Sequence, residues 1–130
     1  MKENDKENGI AGTVKGFEDL RVYRQAYKAS IDIHRQTLTF PQFEEHELGR
    51  QIRRATKSIV FNVVEGYGKR SSLAEFKRFI VMAIGSCDEV KSQLEYCKDL
   101  GYMSMEEYES YKTEYNIIGK MLYQMYKNWQ

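Results

Sequence analysis

Residues 44–72 read EEHELGRQIRRATKSIVFNVVEGYGKRSS. Leu48, Ile52, Ala55, Ile59, Asn62 or Val63, and Gly66 recur at steps of three and four, which places them on one face of an α-helix. The stretch predicts a single helix from about residue 45 to 65. Gly66-Tyr67-Gly68 is expected to end it, with a glycine in the left-handed conformation that other residues resist. Arg50, Arg53, Arg54 and Lys57 fall within an arc of about 100° opposite the inward face. One turn later the outer side becomes apolar, with Val60, Phe61 and Val64. A helix that is apolar on nearly all sides needs cover on all of them.

The flanking sequence supplies partners for this helix. Upstream, Leu20, Tyr23, Tyr27, Ser30 or Ile31, His34 and Leu38 keep the three-four rhythm and predict a first helix over about 18–38. Glu18 and Asp19 suit its positive end. Pro41 stops or redirects the chain, and Phe40 and Phe43 are expected to cover the bundle end. Downstream, Ser72-Leu73-Ala74-Glu75 has the spacing of a capping box. Leu73, Phe76, Ile80, Ala83, Cys87, Val90, Leu94 and Cys97 then alternate without a slip to a stop at Gly101, a coiled-coil-like seam. Val81 and Met82 lie off that seam. A second capping box, Ser104 to Glu107, opens a last helix with Tyr108, Tyr111, Tyr115, Ile118, Leu122, Met125 and Trp129 inward. Four amphipathic helices with short connections predict an all-α, antiparallel up-down-up-down four-helix bundle over residues 17–130. Residues 1–16, polar and punctuated by Gly9, Gly12 and Gly16, read as a flexible arm.

Length and composition fit one globular domain with a core of its own: 130 residues, 42% hydrophobic and 30% charged,. Net charge is +1, but it is unevenly placed. Residues 17–80 carry 12 Lys/Arg against 8 Asp/Glu, and residues 81–130 carry 5 against 8. The first half could face an anionic partner. No apolar segment follows Met1-Lys2-Glu3-Asn4, so no signal peptide is expected. The apolar run 79–85 is too short to span a bilayer, so no membrane partner is expected. Cys87 and Cys97 are separated by about 15 Å of helix rise, too far for a disulfide. Reduced thiols and a cytoplasmic location follow as the simplest expectation.

Catalytic constellations were sought and none found. A di-metal bundle needs Glu-x-x-His on two helices, whereas the residues three before His34 and His46 are Ile31 and Phe43. No metal and no cofactor is expected. His34 reads as a partly buried, hydrogen-bonded residue and His46 as a surface one. The turn Gly66-Tyr67-Gly68-Lys69-Arg70-Ser71-Ser72 lacks the spacing and the preceding strand of a phosphate loop. Lys69 and Arg70, beside a helix N-terminus, could still hold a phosphate non-specifically. Cys87 and Cys97 sit on the seam as inert small residues, and the paired carboxylates Glu44/Glu45 and Glu106/Glu107 sit at helix starts, where the dipole explains them, so no enzyme is expected. Asn62, at or near an inward position, is expected to bond Ser58, a backbone carbonyl or a residue of another helix and to fix register, with Glu65 in the same network.

That leaves Arg50, Arg53, Arg54 and Lys57. They are either a solvated face or an anion-binding one. No acid occurs among residues 48–64, and like charges one turn apart repel. Phosphate oxygens would relieve that repulsion through bidentate Arg contacts.

The run Phe17-Glu18-Asp19-Leu20-Arg21-Val22-Tyr23, then Phe40-Pro41, Glu47-Leu48, Gln51-Ile52-Arg53-Arg54-Ala55 and Ser58-Ile59, lead into Asn62-Val63-Val64-Glu65-Gly66-Tyr67-Gly68. Glu75-Phe76, Phe79, Ala83-Ile84-Gly85-Ser86, Glu89 and Leu100-Gly101-Tyr102 follow. Over residues 17–127 this pattern resembles the bacterial family named after the protein encoded in 23S ribosomal-RNA intervening sequences. That family also includes the accessory variability determinant of diversity-generating retroelements. The resemblance implies a homopentameric four-helix bundle and, by the retroelement type, a basic surface for structured RNA or DNA and a reverse-transcriptase partner. Carried onto this chain, the basic positions are Arg50, Arg53, Arg54 and Lys57. This chain departs from the retroelement type in being almost neutral. Val60, Phe61, Val64, Val81 and Met82 are the expected interface between copies. The expected function is a non-enzymatic homo-oligomer that binds nucleic acid weakly through the second helix. The alternative is a protein-interaction scaffold, such as a reverse-transcriptase accessory subunit, that does not touch nucleic acid.

Overall fold

The computed structural model describes residues 14–129. Four helices follow in order: α1 (Arg21–Thr37), α2 (Leu48–Gly68), α3 (Leu73–Asp99) and α4 (Met105–Asn128). Short 3-10 turns occupy Phe17–Asp19 and Gln42–Glu44, and no strand occurs among the described residues. Each helix packs on its two neighbours in a closed square, α1 on α2 and α4, and α3 on α2 and α4. Matching side chains fix the antiparallel sense. Lys57 meets His34, Ser58 meets Ser86, and Tyr108 meets Glu95. The result is the all-α up-down-up-down bundle that the periodicity predicts. Of the expected arm, residues 1–13 lie outside the described residues. Val14 is buried, and the Lys15 amide donates to Asp19 Oδ2 at 2.9 Å.

The seams of α3 and α4 are almost those read from the sequence. Phe76, Ile80, Ala83, Cys87, Val90, Leu94 and Cys97 are buried, whereas Leu73 at the helix start is 45% exposed. Tyr108, Tyr115, Ile118, Leu122, Met125 and Trp129 are buried, with Tyr111 half-buried. Removing one such large aliphatic or aromatic side chain from water contributes about 1.5–3 kcal/mol. Gly101, with φ +80°, closes α3. At Ser104 both halves of the capping box form: its Oγ accepts from the Glu107 amide at 3.0 Å, and Glu107 Oε1 accepts from the Ser104 amide at 2.8 Å. At Ser72 only one half forms (3.3 Å from the Glu75 amide), because the Glu75 carboxylate turns to Arg78 at 3.0 Å.

Four expectations need correction. The inward face of α1 is Val22, Ala26, Ala29, Ser30, Ile33 and Thr37. It is not the stripe through Tyr23, Tyr27, Ile31, His34 and Leu38: Tyr27 is 50% and Leu38 72% exposed. Two apolar stripes compete on this helix. The one with Val22, Ala26, Ala29 and Ile33 is buried, whereas the other carries the Tyr23 and Tyr27 hydroxyls, which would need partners away from water. Second, α2 runs through Gly68 without a left-handed residue. Gly66 serves packing instead: a Cβ there would stand 3.2 Å from Phe79 Cβ. Third, Phe43 is 70% exposed, while Phe40 covers the end against Tyr102, with ring centroids 5.2 Å apart. Fourth, Glu44 does more than face a helix terminus. It is buried, and its carboxylate accepts from the Leu48 amide at 3.3 Å and from Tyr102 Oη at 2.7 Å.

Candidate nucleic-acid and assembly surface

The four cations of α2 do not form one outward arc. Arg50 and Arg54 are exposed. Arg53 and Lys57 turn toward α1 and are partly buried. One Arg53 nitrogen donates to Thr37 Oγ1 at 2.9 Å and the other to the Glu45 carbonyl at 2.8 Å. Lys57 Nζ lies 2.9 Å from His34 Nδ1. Burial, then the Arg53 charge, pushes the Lys57 amine below the usual lysine range. Burial and the charges of Lys57, Arg53 and Arg35 likewise hold the His34 imidazole below its usual value. His34 thus stays neutral at neutral pH and can accept from the ammonium. Among the described residues no carboxylate lies within ion-pair distance of Arg50, Arg53, Arg54 or Lys57.

Lys69 and Arg70 are both exposed at the α2–α3 turn. Lys69 lies 4.0 Å from Glu65 and 5.6 Å from the Phe79 ring centre. Arg70 donates to the Tyr67 carbonyl at 2.8 Å, with its guanidinium 4.0 Å over that ring. The turn is therefore basic but separated along α2 from Arg50 and Arg54.

The apolar candidates divide in the same way. Val60 is only 5% exposed, so it is a core residue with little to offer a second molecule. Phe61 is 63%, Val81 50% and Met82 46% exposed, and Val64 is half-buried. Phe61 and Val64 form one wall of a groove of about 330 Å³ whose other wall is Phe17, Tyr23, Tyr27 and Ile31. Lys57 is the only charged residue lining it. Phe17 meets Tyr23 edge-on at 4.9 Å, and Tyr23 stacks on Tyr27 at 5.9 Å. Sequence reasoning missed this groove because it assigned the α1 wall to the core. A second regular stripe on α1, Val22 to Thr37, was the available signal.

Asn62 behaves as expected in part. Its amide donates to the Ser58 carbonyl at 2.9 Å and to Ser58 Oγ at 3.1 Å, and Ser58 Oγ meets Ser86 Oγ at 2.9 Å across α2 and α3. Glu65 does not join this cluster, since its carboxylate faces Lys69.

Nothing in this arrangement resembles a nucleophile with its base. Cys87 and Cys97 are buried free thiols. Cys87 Sγ donates to the Tyr115 carbonyl at 3.3 Å. Burial pushes the two thiols to about 11 and about 12, far from the range of a reactive thiolate. No group of three or more potential metal ligands occurs among the described residues. No helix among them is long and apolar enough to cross a membrane.

A family model described as 23S rRNA-intervening sequence protein matches residues 18–124. Among curated proteins none matches the sequence. Of solved structures, the chain is similar to a protein of unknown function from the S23 ribosomal protein family of Bacteroides thetaiotaomicron VPI-5482. The two share 23% identity with a TM-score of 0.75, over 82% of this chain and 96% of that one. At this identity the likeness shows the fold alone.

Proposed function

The chain belongs to the 23S rRNA-intervening sequence protein family, and from that premise we propose a non-catalytic helical bundle that assembles with copies of itself and binds nucleic acid weakly through α2. The observation that carries the reading is Arg50 and Arg54, exposed on one helix with no carboxylate within ion-pair distance among the described residues. Such charges attract a phosphate backbone without reading its sequence. Lys69 and Arg70 extend the attraction toward the α2–α3 turn. Arg53 and Lys57 contribute from the α1 side, where they also hold the two helices together. Structured RNA or DNA is the proposed partner.

The proposed contact between copies uses Phe61 and Val64 on α2 with Val81 and Met82 on α3. What supports it is the exposure of these side chains, because large contiguous apolar patches are uncommon on monomers. The family resemblance favours a pentamer. Two reduced thiols accord with a cytoplasmic setting.

The test is a salt series of binding to duplex RNA and to single-stranded DNA, with Arg50→Glu/Arg54→Glu as the variant. Affinity should fall as salt rises, and the variant should bind at least about tenfold more weakly. Unchanged affinity would refute the nucleic-acid reading. Light scattering that reports a monomer, with Phe61→Glu harmless, would refute the assembly reading. The apolar groove beside Tyr27 and Phe61 favours a second reading, a scaffold for a protein partner such as a reverse transcriptase. That reading predicts no nucleic-acid binding at physiological salt.

A further inference from the structure

We infer that His34 and Arg53, with Lys57 bonded to the far side of the His34 ring, form a phosphate-binding site on the α1–α2 seam. This deepens the nucleic-acid reading above and rests on it for a polymeric source of the phosphate.

Three nitrogen-bearing side chains from two helices meet here, and among the described residues none is matched by a carboxylate. Lys57 Nζ stands 2.9 Å from His34 Nδ1. A protonated amine can only donate, so Nδ1 must accept, and the neutral ring carries its hydrogen on Nε2. That Nε2–H has no partner among the described residues. Arg53 uses two of its five N–H groups, on Thr37 and Glu45,. The rest of the fork is available, and its position is fixed by those two bonds. Donors held in place without an acceptor are what an oxyanion needs.

His34, Arg53 and Thr37 line a cavity of about 460 Å³ with Gln42 and Glu45, room enough for a phosphate group, while Lys57 lines the apolar groove on the other side and reaches the site only through His34 Nδ1. Facing His34 are Lys57 and Arg53 from α2 and Arg35 on its own helix. Glu45 is the one carboxylate at the cavity and is exposed. Burial first, and then those cations, make His34 reluctant to protonate, and a bound anion would offset the part due to the cations. Phosphate binding therefore tightens as pH falls through the His34 midpoint, and binding in turn raises that midpoint.

The chain has two histidines, so imidazole NMR of the full-length protein yields two titrations, with exposed His46 as the internal control. Midpoints are compared in sodium chloride and in inorganic phosphate at equal ionic strength. Phosphate should raise the His34 midpoint by about half a pH unit, roughly a threefold gain in proton affinity, and leave His46 in place. Arg53→Met should abolish the response. A third arm uses a short oligonucleotide. If only the oligonucleotide moves His34, the site takes a phosphodiester; if inorganic phosphate suffices, a free phosphate fills it. Should neither move His34, the inference is wrong. The two readings separate cleanly. An oligonucleotide that binds through Arg50 and Arg54 without moving His34 sinks this site and spares the proposed function. A phosphate response without oligonucleotide binding does the reverse.

Discussion

Tyr102 Oη donates to Glu44 Oε2 at 2.7 Å across 58 residues of sequence. The bond ties the α3–α4 turn to the start of α2 and gives a buried carboxylate one of its two partners. Hydrogen bonds to charged groups contribute about 1.5–3 kcal/mol. Tyr102→Phe is expected to lower stability in a urea titration. The Glu44 bond also pushes the Tyr102 phenol up, so its ionisation should come later than that of an exposed tyrosine in an alkaline absorbance titration. A Tyr102→Phe protein as stable as its parent would show that the clasp is incidental.

Two helical glycines should respond oppositely to alanine. At Gly66 a new Cβ would meet Phe79 Cβ at 3.2 Å and the Phe76 carbonyl oxygen at 3.4 Å. Overpacking of this kind costs about 1–3 kcal/mol, more than the roughly 1 kcal/mol of helix propensity gained. At Gly85 nothing lies within 4 Å, so only the gain of up to about 1 kcal/mol remains. Thermal denaturation of Gly66→Ala and Gly85→Ala should therefore move in opposite directions. Shifts of the same sign would contradict the close α2–α3 approach.

His34 supplies a pH dependence with a definite sign. Its folded-state pKa lies below the unfolded one, through burial first and then Lys57, Arg53 and Arg35. The unfolded chain therefore binds the proton more readily. Stability contributed by the neutral ring is complete above the unfolded value and declines as pH drops below it, until the folded ring also protonates. Denaturation midpoints followed from pH 8 to pH 5 should fall more steeply for the parent than for His34→Gln. Parallel curves would mean that neither burial nor the neighbouring cations depress the His34 pKa in the folded protein.

The two thiols offer a check on the core. Both are buried, with burial raising them to about 11 and about 12. A thiol reagent such as dithiobisnitrobenzoate at pH 8 should leave the native protein almost unmodified and titrate both cysteines in denaturant. Rapid reaction of the folded protein would show that the α3 seam opens far more readily than its packing implies.

How much of this was legible in the sequence varies from helix to helix. The α3 seam from Phe76 to Cys97 and the α4 seam from Tyr108 to Trp129 could be read directly, because each three-four alternation runs along its helix without a slip. On α1 two stripes compete. Burial goes to Val22, Ala26, Ala29 and Ile33, the more hydrophobic stripe, rather than to Tyr23, Tyr27 and Ile31, whose tyrosine hydroxyls would need partners in a core. That difference is legible in the sequence, but the larger tyrosines obscure it. The cations failed to form one arc for another reason. Arg53 and Lys57 are long enough to reach back to Thr37 and His34, which no helical projection records. Glu44 and Tyr102, 58 residues apart, could only be matched once the turns were placed at the same end.

At the opposite end, Trp129 lies stacked on Phe76 at 4.4 Å and edge-on to Tyr67 at 6.2 Å. It is the chain's one tryptophan and is 3% exposed. The molecule therefore carries its own optical gauge. Indole emission from a dry site is blue-shifted, and it moves to the red when water arrives. Fraying where α2, α3 and α4 converge would register in fluorescence before the rest of the bundle melts, with no label attached.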